Sequence, residues 1–300
     1  MNTDWTFHKE QWFLENPFPG VRRCKKDLFR IDKKIFHGKT EFQEVFIFES
    51  PGFGKVLILD GIIQLAQSDE FIYHEVITHI PLLSHKNPRR MLVVGGGDGG
   101  VLREALKHPV DEIYFVEIDK DIVAIAKKHL AFISKGAFAN KRVKIFFEDG
   151  VQFIRRYKDF FDVVVVDSTD PVGPGKVLFE ENFYSLVSAS MRKDGVGIFQ
   201  LGPFLDFDLI IRDVARTLKK CFGHVNPVRL PMPSYSCGSE YCFLLTSKSG
   251  DPSRVSPAVI RQRLHKRLGA KAGSLKYYSV PMHFASMVMP KIWQLAGKPR

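Results

Sequence analysis

The sequence predicts an α/β fold, in which a Rossmann-like, doubly wound and mostly parallel sheet follows a small N-terminal antiparallel β domain. Two observations carry this prediction. After residue 88, short apolar runs alternate with helical segments, which is the pattern of βαβ units. Segment 28–65 instead holds closely spaced β-type runs separated by Gly and Pro turns. We therefore expect a β-strand domain at 1–68 and an α/β domain at 69–300.

The N-terminal elements are predicted from residue type. Residues 41–48 and 55–59 are rich in Val, Ile and Phe, which favour strands, and Gly-containing turns bound them. One small antiparallel sheet is the simplest interpretation. A helix is predicted at 69–83, and Pro88 separates it from the α/β pattern that follows.

The α/β domain is predicted from five repeats of strand and helix. The apolar runs expected to form its strands are 91–94, 113–117, 143–147, 163–167 and 196–200. The segments expected to form its helices are 101–107, 119–130, 151–157, 182–191 and 206–218. Ligands of such sheets bind beyond the carboxyl ends of the strands, so residues directly after each run should carry the chemistry.

Composition excludes several classes of protein. With 45% hydrophobic and 26% charged residues, the chain is typical of a globular protein, and not of a disordered, collagenous or coiled-coil one. Its apolar runs are far shorter than the roughly 20 residues of a membrane helix. The N-terminus shows no secretory signal, so a cytoplasmic location is expected. The four cysteines form no CxxC pair, and we interpret them as reduced thiols without a metal site.

The formal charge of +11 is a property of the C-terminal segment. Residues 248–300 contain 11 of the 44 Lys and Arg but only one of the 33 acids, and residues 1–247 are nearly balanced. The densest part of this segment comprises Arg261, Arg263, Lys266, Arg267 and Lys271. A solvated basic face explains the pattern, and contact with RNA, anionic lipid or an acidic partner is the alternative. No RNA-binding signature accompanies it, so nucleic acid is not an expected partner.

A glycine-rich loop, GGGDGG, follows the first strand of the α/β pattern. Gly95, Gly97 and Gly100 match GxGxxG, in which glycines allow a tight turn and the close approach of a ligand. Glu117 ends the next strand, 20 residues beyond Gly97, where an acid commonly binds a ribose diol; an ordinary strand-end acid is the alternative. Asp98 would repel a pyrophosphate, so the loop is expected to face a cationic group.

Acids also follow the third and fourth strands. Asp149 could accept a hydrogen bond from a purine amino group, and an N-cap for the next helix is an alternative compatible with that role. The fourth strand leads into DSTDPVGP at 167–174, which places Asp167 and Asp170 in a rigid loop. Two carboxylates there could hold a cationic amine and accept its proton.

These motifs resemble those of the polyamine aminopropyltransferases, the spermidine synthase family. The resemblance is carried by GGGDGGVLRE, VEID, EDG and DSTDPVGP, in that order. Shorter matches extend it over nearly the whole chain, at 12–13, 42–44, 59–64, 69–75 and 275–278. DSTDPVGP and GGGDGG in this order are highly specific.

The resemblance implies transfer of the 3-aminopropyl group of decarboxylated S-adenosylmethionine to an amine, usually putrescine, which gives spermidine and 5'-methylthioadenosine. The sulfonium is itself a leaving group, so the donor is a co-substrate and no metal or permanently bound cofactor is expected. By this resemblance Asp167 accepts the proton, while Tyr73 and Asp170 orient the attacking nitrogen. Asp98 would attract the donor's ammonium and repel the α-carboxylate of intact S-adenosylmethionine.

Further site residues are implied by the same resemblance. Those expected to bind the donor are Gln43, Gly95, Gly97, Asp98, Glu117, Asp149, Gly150 and Pro174. Those expected near the amine are Trp12, Gln64, His74, Ser168, Thr169 and Tyr235. Plain packing is the alternative for Trp12 and Tyr235, and a structural histidine for His74. The family usually forms dimers or tetramers, so a homodimer or homotetramer is expected.

Two departures from the family pattern lie where the far end of the amine is expected. Gly202 stands where an acid usually follows Gln200, and Ser234–Glu240 differs from the usual Pro-Thr-Tyr-Pro-Ser-Gly segment. Cadaverine, agmatine or spermidine are therefore alternatives to putrescine. As a hypothesis, Glu240 supplies the missing negative charge.

Two other functions compete with aminopropyl transfer. An amine N-methyltransferase would use the same methyltransferase-type sheet with intact S-adenosylmethionine, and Asp98 argues against it. A nucleoside- or RNA-binding protein without turnover would fit the basic segment. It does not explain why Tyr73, Asp167 and Asp170 occur together.

Overall fold

Two antiparallel sheets precede a mostly parallel one. The computed structural model describes residues 6–7, 10–16, 27–168, 173–204, 207–235 and 240–291. Within these residues, sheets of three and four strands lead into a sheet of seven strands, and helices flank that sheet. The predicted fold class is confirmed.

The N-terminal strands form two sheets, where the sequence pattern predicted one. The first consists of β1 (Thr6–Phe7), β2 (Glu10–Leu14) and β3 (Leu28–Ile31). The second consists of β4 (Lys33–Lys39), β5 (Glu44–Ser50), β6 (Gly54–Leu59) and β7 (Ile62–Ala66). Phe13 and Phe29 of the first sheet pack on Phe48 of the second, with ring centroids 5.7 and 6.5 Å apart. The prediction of a single sheet was wrong because strand pairing is a long-range property that residue type does not specify.

The seven-stranded sheet contains the five predicted parallel strands. Its members are β8 (Arg90–Gly95), β9 (Glu112–Glu117), β10 (Val143–Phe147), β11 (Phe161–Asp167), β12 (Met191–Pro203), β13 (His224–Pro231) and β14 (Glu240–Ser247). Their order is β10-β9-β8-β11-β12-β14-β13, and β14 runs antiparallel to the other six strands. The chain therefore reverses direction across the sheet between β8 and β11, where open α/β sheets bind ligands.

Six helices agree with the predicted segments to within a few residues, and α4, α8 and α9 were not predicted. The helices are α1 (Glu70–Ser84), α2 (Gly100–Ala105), α3 (Lys120–His129), α4 (Ala131–Ser134), α5 (Gly150–Ile154), α6 (Glu181–Ser190), α7 (Asp208–Cys221), α8 (Pro257–Leu268) and α9 (Val280–Ala285). No helix of the described residues has the length and apolar character needed to cross a bilayer. Cys221 and Cys242 are free thiols, and Cys24 and Cys237 lie outside the described residues.

Strand β11 is buried on both faces. Val163 and Val165 belong to one hydrophobic core, and Val164 and Val166 belong to the other. This explains the continuous valine run, because a central parallel strand covered on both sides needs apolar residues at every position. Asp167 is the last residue of this buried strand, so it lies at the carboxyl edge of the sheet.

The basic segment is partly used to hold helix α1. Arg263 donates to the carbonyl oxygens of Leu83 and Ser84 at 2.8 and 2.7 Å, at the C-terminus of α1. Arg267 donates to three more carbonyls in the same turn and just beyond it, those of Leu82, His85 and Lys86, at 2.5 to 3.0 Å. Two of the five residues in the densest basic cluster thus satisfy carbonyls that the helix itself leaves unbonded.

We expect Arg267→Ala to lower the stability of the protein by about 2 kcal/mol, since three hydrogen bonds from a charged group are lost. The melting temperature should fall by several degrees. Arg261→Ala is the matched control, because Arg261 lies exposed on the same helix. Thermal unfolding followed by circular dichroism measures both variants. Equal melting temperatures for the two would show that the carbonyl contacts contribute nothing.

Candidate active site

A cavity of about 540 Å³ lies at the carboxyl ends of β8, β9 and β11. Its described lining contains most of the predicted site residues, namely Gln43, Gln64, Tyr73, His74, Gly95, Gly97, Asp98, Glu117, Asp149, Gly150, Asp167, Ser168 and Tyr235. Trp12 lies on β2 and is not among these lining residues. Thr169 and Asp170 fall outside the described residues, and Pro174 lies in a short 3₁₀ helix in which its side chain is not described.

Glycines of the loop after β8 allow protein groups to approach the loop closely. Gly95 has φ of +81°, and a Cβ there would lie 2.2 Å from the backbone oxygen of Asp167. A Cβ on Gly100 would lie 2.3 Å from Nε2 of His74. The sequence pattern indicated that these glycines make room for a ligand. In the structure they also bring β11 and α1 against the loop, and so draw the predicted residues together.

Asp167 is held by Tyr73 at the edge of the sheet. The Tyr73 hydroxyl donates to Oδ1 of Asp167 at 2.5 Å. Desolvation and the neighbouring Asp98 carboxylate raise the pKa of Asp167 to about 6, although His74 and the Tyr73 hydrogen bond act in the opposite direction. The carboxylate is thus a stronger base than an ordinary aspartate and is still mostly ionised at neutral pH.

His74 lies between two carboxylates. Its Nδ1 is 2.6 Å from Oε2 of Glu70, and its Nε2 is 3.3 Å from Oδ1 of Asp98. Burial disfavours the charged ring, but Asp98 and Glu70 outweigh burial and raise the pKa of His74 to about 10. Asp98 Oδ1 also accepts the amide N–H of Gly100 at 2.6 Å. The histidine therefore both lines the cavity and forms an ion pair with the loop acid.

Glu117 is supported by a residue that the motifs did not single out for a role. Oε1 of Glu117 accepts the amide N–H of Asp119 at 3.0 Å. Oδ2 of Asp119 in turn accepts Nε2 of Gln43 at 2.9 Å, and it also accepts the hydroxyl of Thr40 at 2.6 Å. Asp119 caps α3, and an Asp directly before a helix was the sequence signal for it. Desolvation raises the pKa of Glu117 to about 7, although the hydrogen bond from the Asp119 amide acts in the opposite direction.

Asp149 caps the helix that follows it. Its Oδ1 accepts the amide N–H of Gln152 at 2.8 Å, at the start of α5. Asp149 also lines the cavity, as does Gly150, where a Cβ would lie 2.8 Å from a methyl group of Val94. Asp149 therefore acts as an N-cap through Oδ1, and its Oδ2 is left to accept a hydrogen bond from a ligand.

Three tyrosines form the wall beyond Asp167. The Tyr235 hydroxyl donates to the backbone oxygen of Gln64. Its ring lies 6.4 Å from that of Tyr73, and the ring of Tyr241 lies within 5.7 Å of both. Nε2 of Gln200 donates to the Tyr241 hydroxyl. Tyr241 and Gln200 line the cavity but were not predicted as site residues, since they come from β14 and β12 and their proximity depends on the pairing of those strands.

The structure describes Gly202 and Glu240 of the two segments that depart from the family pattern, while residues 236–239 lie outside the described residues. Gly202 has φ of +126° and follows a break in the pairing register of β12 with β14, so its backbone conformation is one that an acidic residue rarely adopts. Glu240 forms an ion pair with Arg229 and is not among the described residues that line the cavity. This arrangement argues against the hypothesis that Glu240 supplies the missing negative charge.

The described residues contain no group of three or more His, Cys, Asp or Glu placed to hold a metal ion.

Two family models match the chain. The spermine/spermidine synthase domain matches residues 70–254, and the spermidine synthase tetramerisation domain matches residues 11–67. The polyamine aminopropyltransferase of Caldicellulosiruptor saccharolyticus is 40% identical over 288 residues, which cover 95% of this chain and 97% of the relative. Polyamine aminopropyltransferase 1 of Pseudomonas aeruginosa is 37% identical over 273 residues, 90% of this chain and 93% of the relative.

Solved structures agree with these matches. A spermidine synthase in complex with the transition state analogue AdoDATO has a TM-score of 0.88 and 30% identity, and the match covers 98% of this chain and 97% of that one. The spermidine synthase of Thermotoga maritima has a TM-score of 0.83 and 30% identity, over 95% and 93% of the two chains. The chain therefore belongs to the spermine/spermidine synthase family and is an enzyme of the polyamine aminopropyltransferase type.

Proposed function

We propose that the enzyme transfers the aminopropyl group of decarboxylated S-adenosylmethionine to putrescine, which yields spermidine and 5'-methylthioadenosine. The observation that carries the proposal is the Tyr73–Asp167 hydrogen bond beside Asp98 in one cavity. This arrangement combines a base with an anion that can hold the donor's ammonium. The names of the relatives and the AdoDATO complex of a structural neighbour support the same reaction class.

The proposed reaction is a nucleophilic displacement at the aminopropyl carbon that is bonded to the sulfonium sulfur. The attacking ammonium of the amine first gives a proton to Asp167, which frees a lone pair on nitrogen. That pair forms the new C–N bond, and the C–S bond breaks with both electrons passing to the sulfonium, which becomes the neutral thioether of 5'-methylthioadenosine. Tyr73 fixes one oxygen of Asp167 and leaves the other for the amine. Asp170, outside the described residues, is proposed to orient the same nitrogen.

The donor is proposed to lie across the ends of β8, β9 and β10. Glu117 would accept the ribose hydroxyls, with Gln43 held nearby by Asp119. Asp149 would accept from the adenine amino group, and Gly95, Gly97 and Gly150 leave room for the nucleoside. Asp98 would bind the ammonium of the aminopropyl group, and it would face the α-carboxylate of intact S-adenosylmethionine with like charge.

The acceptor is proposed to be putrescine, in a channel lined by Gln64, His74, Ser168 and Tyr235. Trp12 and Thr169 remain proposed contacts of the amine. Because glycine stands at position 202, where the family usually has an acidic residue, cadaverine, agmatine and spermidine remain the alternative acceptors.

The match to the tetramerisation domain supports a homo-oligomer, either a dimer or a tetramer, and light scattering on the purified protein would count its subunits.

Mass spectrometry of end-point reactions tests the proposal. Decarboxylated and intact S-adenosylmethionine are supplied separately, each with putrescine, cadaverine, agmatine or spermidine. We expect 5'-methylthioadenosine only with the decarboxylated donor, and spermidine as the main amine product. Another aminopropylated amine would correct the acceptor alone. Methylated amine together with S-adenosylhomocysteine would overturn the proposed reaction.

We expect the binding of 5'-methylthioadenosine to weaken as the pH falls through about 7. Ribose hydroxyls donate to Glu117 best when it is ionised, and its raised pKa means that it takes up a proton in this range. Titration calorimetry at pH 8 and pH 5.5 should give dissociation constants that differ by about tenfold. Glu117→Gln should bind weakly at both pH values. Equal affinity of the wild type at the two pH values would contradict the role of Glu117.

A further inference from the structure

A chain of buried charges lies behind the cavity carboxylates. Arg103 of α2 donates to both oxygens of Glu70, at 3.0 and 2.9 Å. Glu70 Oε2 lies 2.6 Å from Nδ1 of His74, and Nε2 of His74 lies 3.3 Å from Asp98. The side chains of Glu70, His74 and Arg103 are 10% exposed or less. Glu70 and Arg103 have no part in the proposed reaction described so far.

The geometry favours a doubly protonated imidazole. Nδ1 of His74 lies within hydrogen-bond distance of Glu70 and Nε2 contacts Asp98 at 3.3 Å, and carboxylates can only accept hydrogen bonds, so a cationic ring fits both neighbours. Arg103 binds Glu70 in a bidentate way and keeps that carboxylate ionised. His74 thus lies between the anions Glu70 and Asp98 in a region shielded from water. Arg103 pairs with both Glu70 and Glu104, and Glu104 has Lys107 as a further cationic partner.

We propose that Glu70, fixed by Arg103, positions His74 as a permanent positive charge beside Asp98 and Asp167, so that both cavity carboxylates are ionised at the same time. Glu70 and Arg103 are positioning residues because they act through His74. The inference rests on the proposed function, in which Asp167 is the base and Asp98 binds the donor. Without the cation, two neighbouring carboxylates would compete for one proton, and the base would be protonated over part of the neutral range.

The groups around Asp167 come from several elements. Tyr73 and His74 face it from α1, Asp98 from the loop after β8, and Glu117 and Tyr235 act on the same region from β9 and the segment after β13. Of the described groups that shift the pKa of Asp167, His74 is the cation, and it lowers that pKa while Asp98 raises it. The raised pKa of His74, about 10, agrees with its placement between two anions.

The first step of the test removes the charge of His74. At saturating decarboxylated S-adenosylmethionine, where protonation of Glu117 no longer limits donor binding, we expect His74→Gln to move the acid limb of kcat to higher pH by about one unit, since this limb reports essential ionisations of the enzyme–substrate complex. Activity at pH 6 relative to pH 8.5 should then fall by up to about tenfold. An active wild type whose acid limb coincides with that of the variant would overturn the inference and leave the proposed function intact.

The second step of the test removes Glu70, the carboxylate that stabilises the positive charge of His74. In Glu70→Gln, the pKa of His74 should fall by at least about one unit, because one anion is lost and Arg103 is left partly unpaired. The ring signals of labelled histidine report this pKa by NMR, and loss of a signal in His74→Gln assigns it. This readout needs no turnover, so it tests the inference even if aminopropyl transfer itself is not observed. An unchanged titration of His74 would overturn the role of Glu70.

Glu104→Gln is the matched control. Glu104 is buried, accepts Arg103 Nε at 2.7 Å, and lies 2.9 Å from His79, a second histidine of α1. It therefore resembles Glu70 in burial and partners but does not contact His74. We expect a lower melting temperature with an unchanged acid limb and an unchanged His74 titration. An equal shift in this control would show that Glu70 has only a structural role.

Discussion

Asp167→Asn should lower kcat by about 10²- to 10⁴-fold, because an amide cannot take the proton of the attacking ammonium. The amide keeps the shape of the side chain and can still accept from Tyr73, so the fold and the binding of 5'-methylthioadenosine should persist. Single-turnover measurements with saturating substrates would separate this loss from a change in binding. The loss should be partly recovered at high pH, because an amine that is already unprotonated does not need the base.

A matched control lies at the other end of the same strand. Asp162 is buried at the start of β11 and accepts the amide N–H groups of Arg89 and Arg90, both at 2.8 Å. Asp162→Asn should lower the melting temperature and leave kcat within about twofold, since most effects of this kind act on stability. If Asp167→Asn retained wild-type kcat, the assignment of the base would be wrong.

Asp98→Asn should raise the KM for decarboxylated S-adenosylmethionine by about 10- to 100-fold, because the ammonium of the donor loses its anion in a partly desolvated site. The same change removes the repulsion of the α-carboxylate, so binding of intact S-adenosylmethionine should improve. The ratio of the two affinities is therefore the informative measurement. Titration calorimetry with each donor in the absence of amine gives this ratio directly.

Asp121→Asn is the control for the loss of one acid near the donor site. Asp121 lies exposed in the first turn of α3, and its change should leave the ratio of affinities unaltered. A variant at Asp98 that still excluded intact S-adenosylmethionine would show that shape, and not charge, selects the donor.

The fold and the positions of the main acids of the candidate site were predictable because their signals are local. A run of four valines predicted a strand buried on both faces, and the acid that ends it lies at the edge of the sheet. GGGDGG predicted the turn after β8, and Glu117 occupies the expected end of β9. Each of these features depends on residues within one element and its following loop.

Other features could not be predicted because they depend on pairing between distant segments. The periodicity of the N-terminal strands does not reveal that they divide into two sheets. Tyr241 reaches the cavity through the pairing of β14 with β12, and Asp119 supports Gln43 across 76 residues of sequence. Glu70 and Arg103 lie within recognised motifs, but the motifs do not show that the two side chains meet.

The contacts of Arg263 and Arg267 with α1 have a consequence for the order of folding. The arginines follow their carbonyl partners by 179 to 185 residues, and α1 carries Tyr73 and His74. During synthesis these carbonyls have no arginine partner until α8 has left the ribosome, so the helix that supplies two residues of the candidate site is stabilised at this end only late. A nascent chain that stops before α8 has the motifs of the site without the last support of its helix.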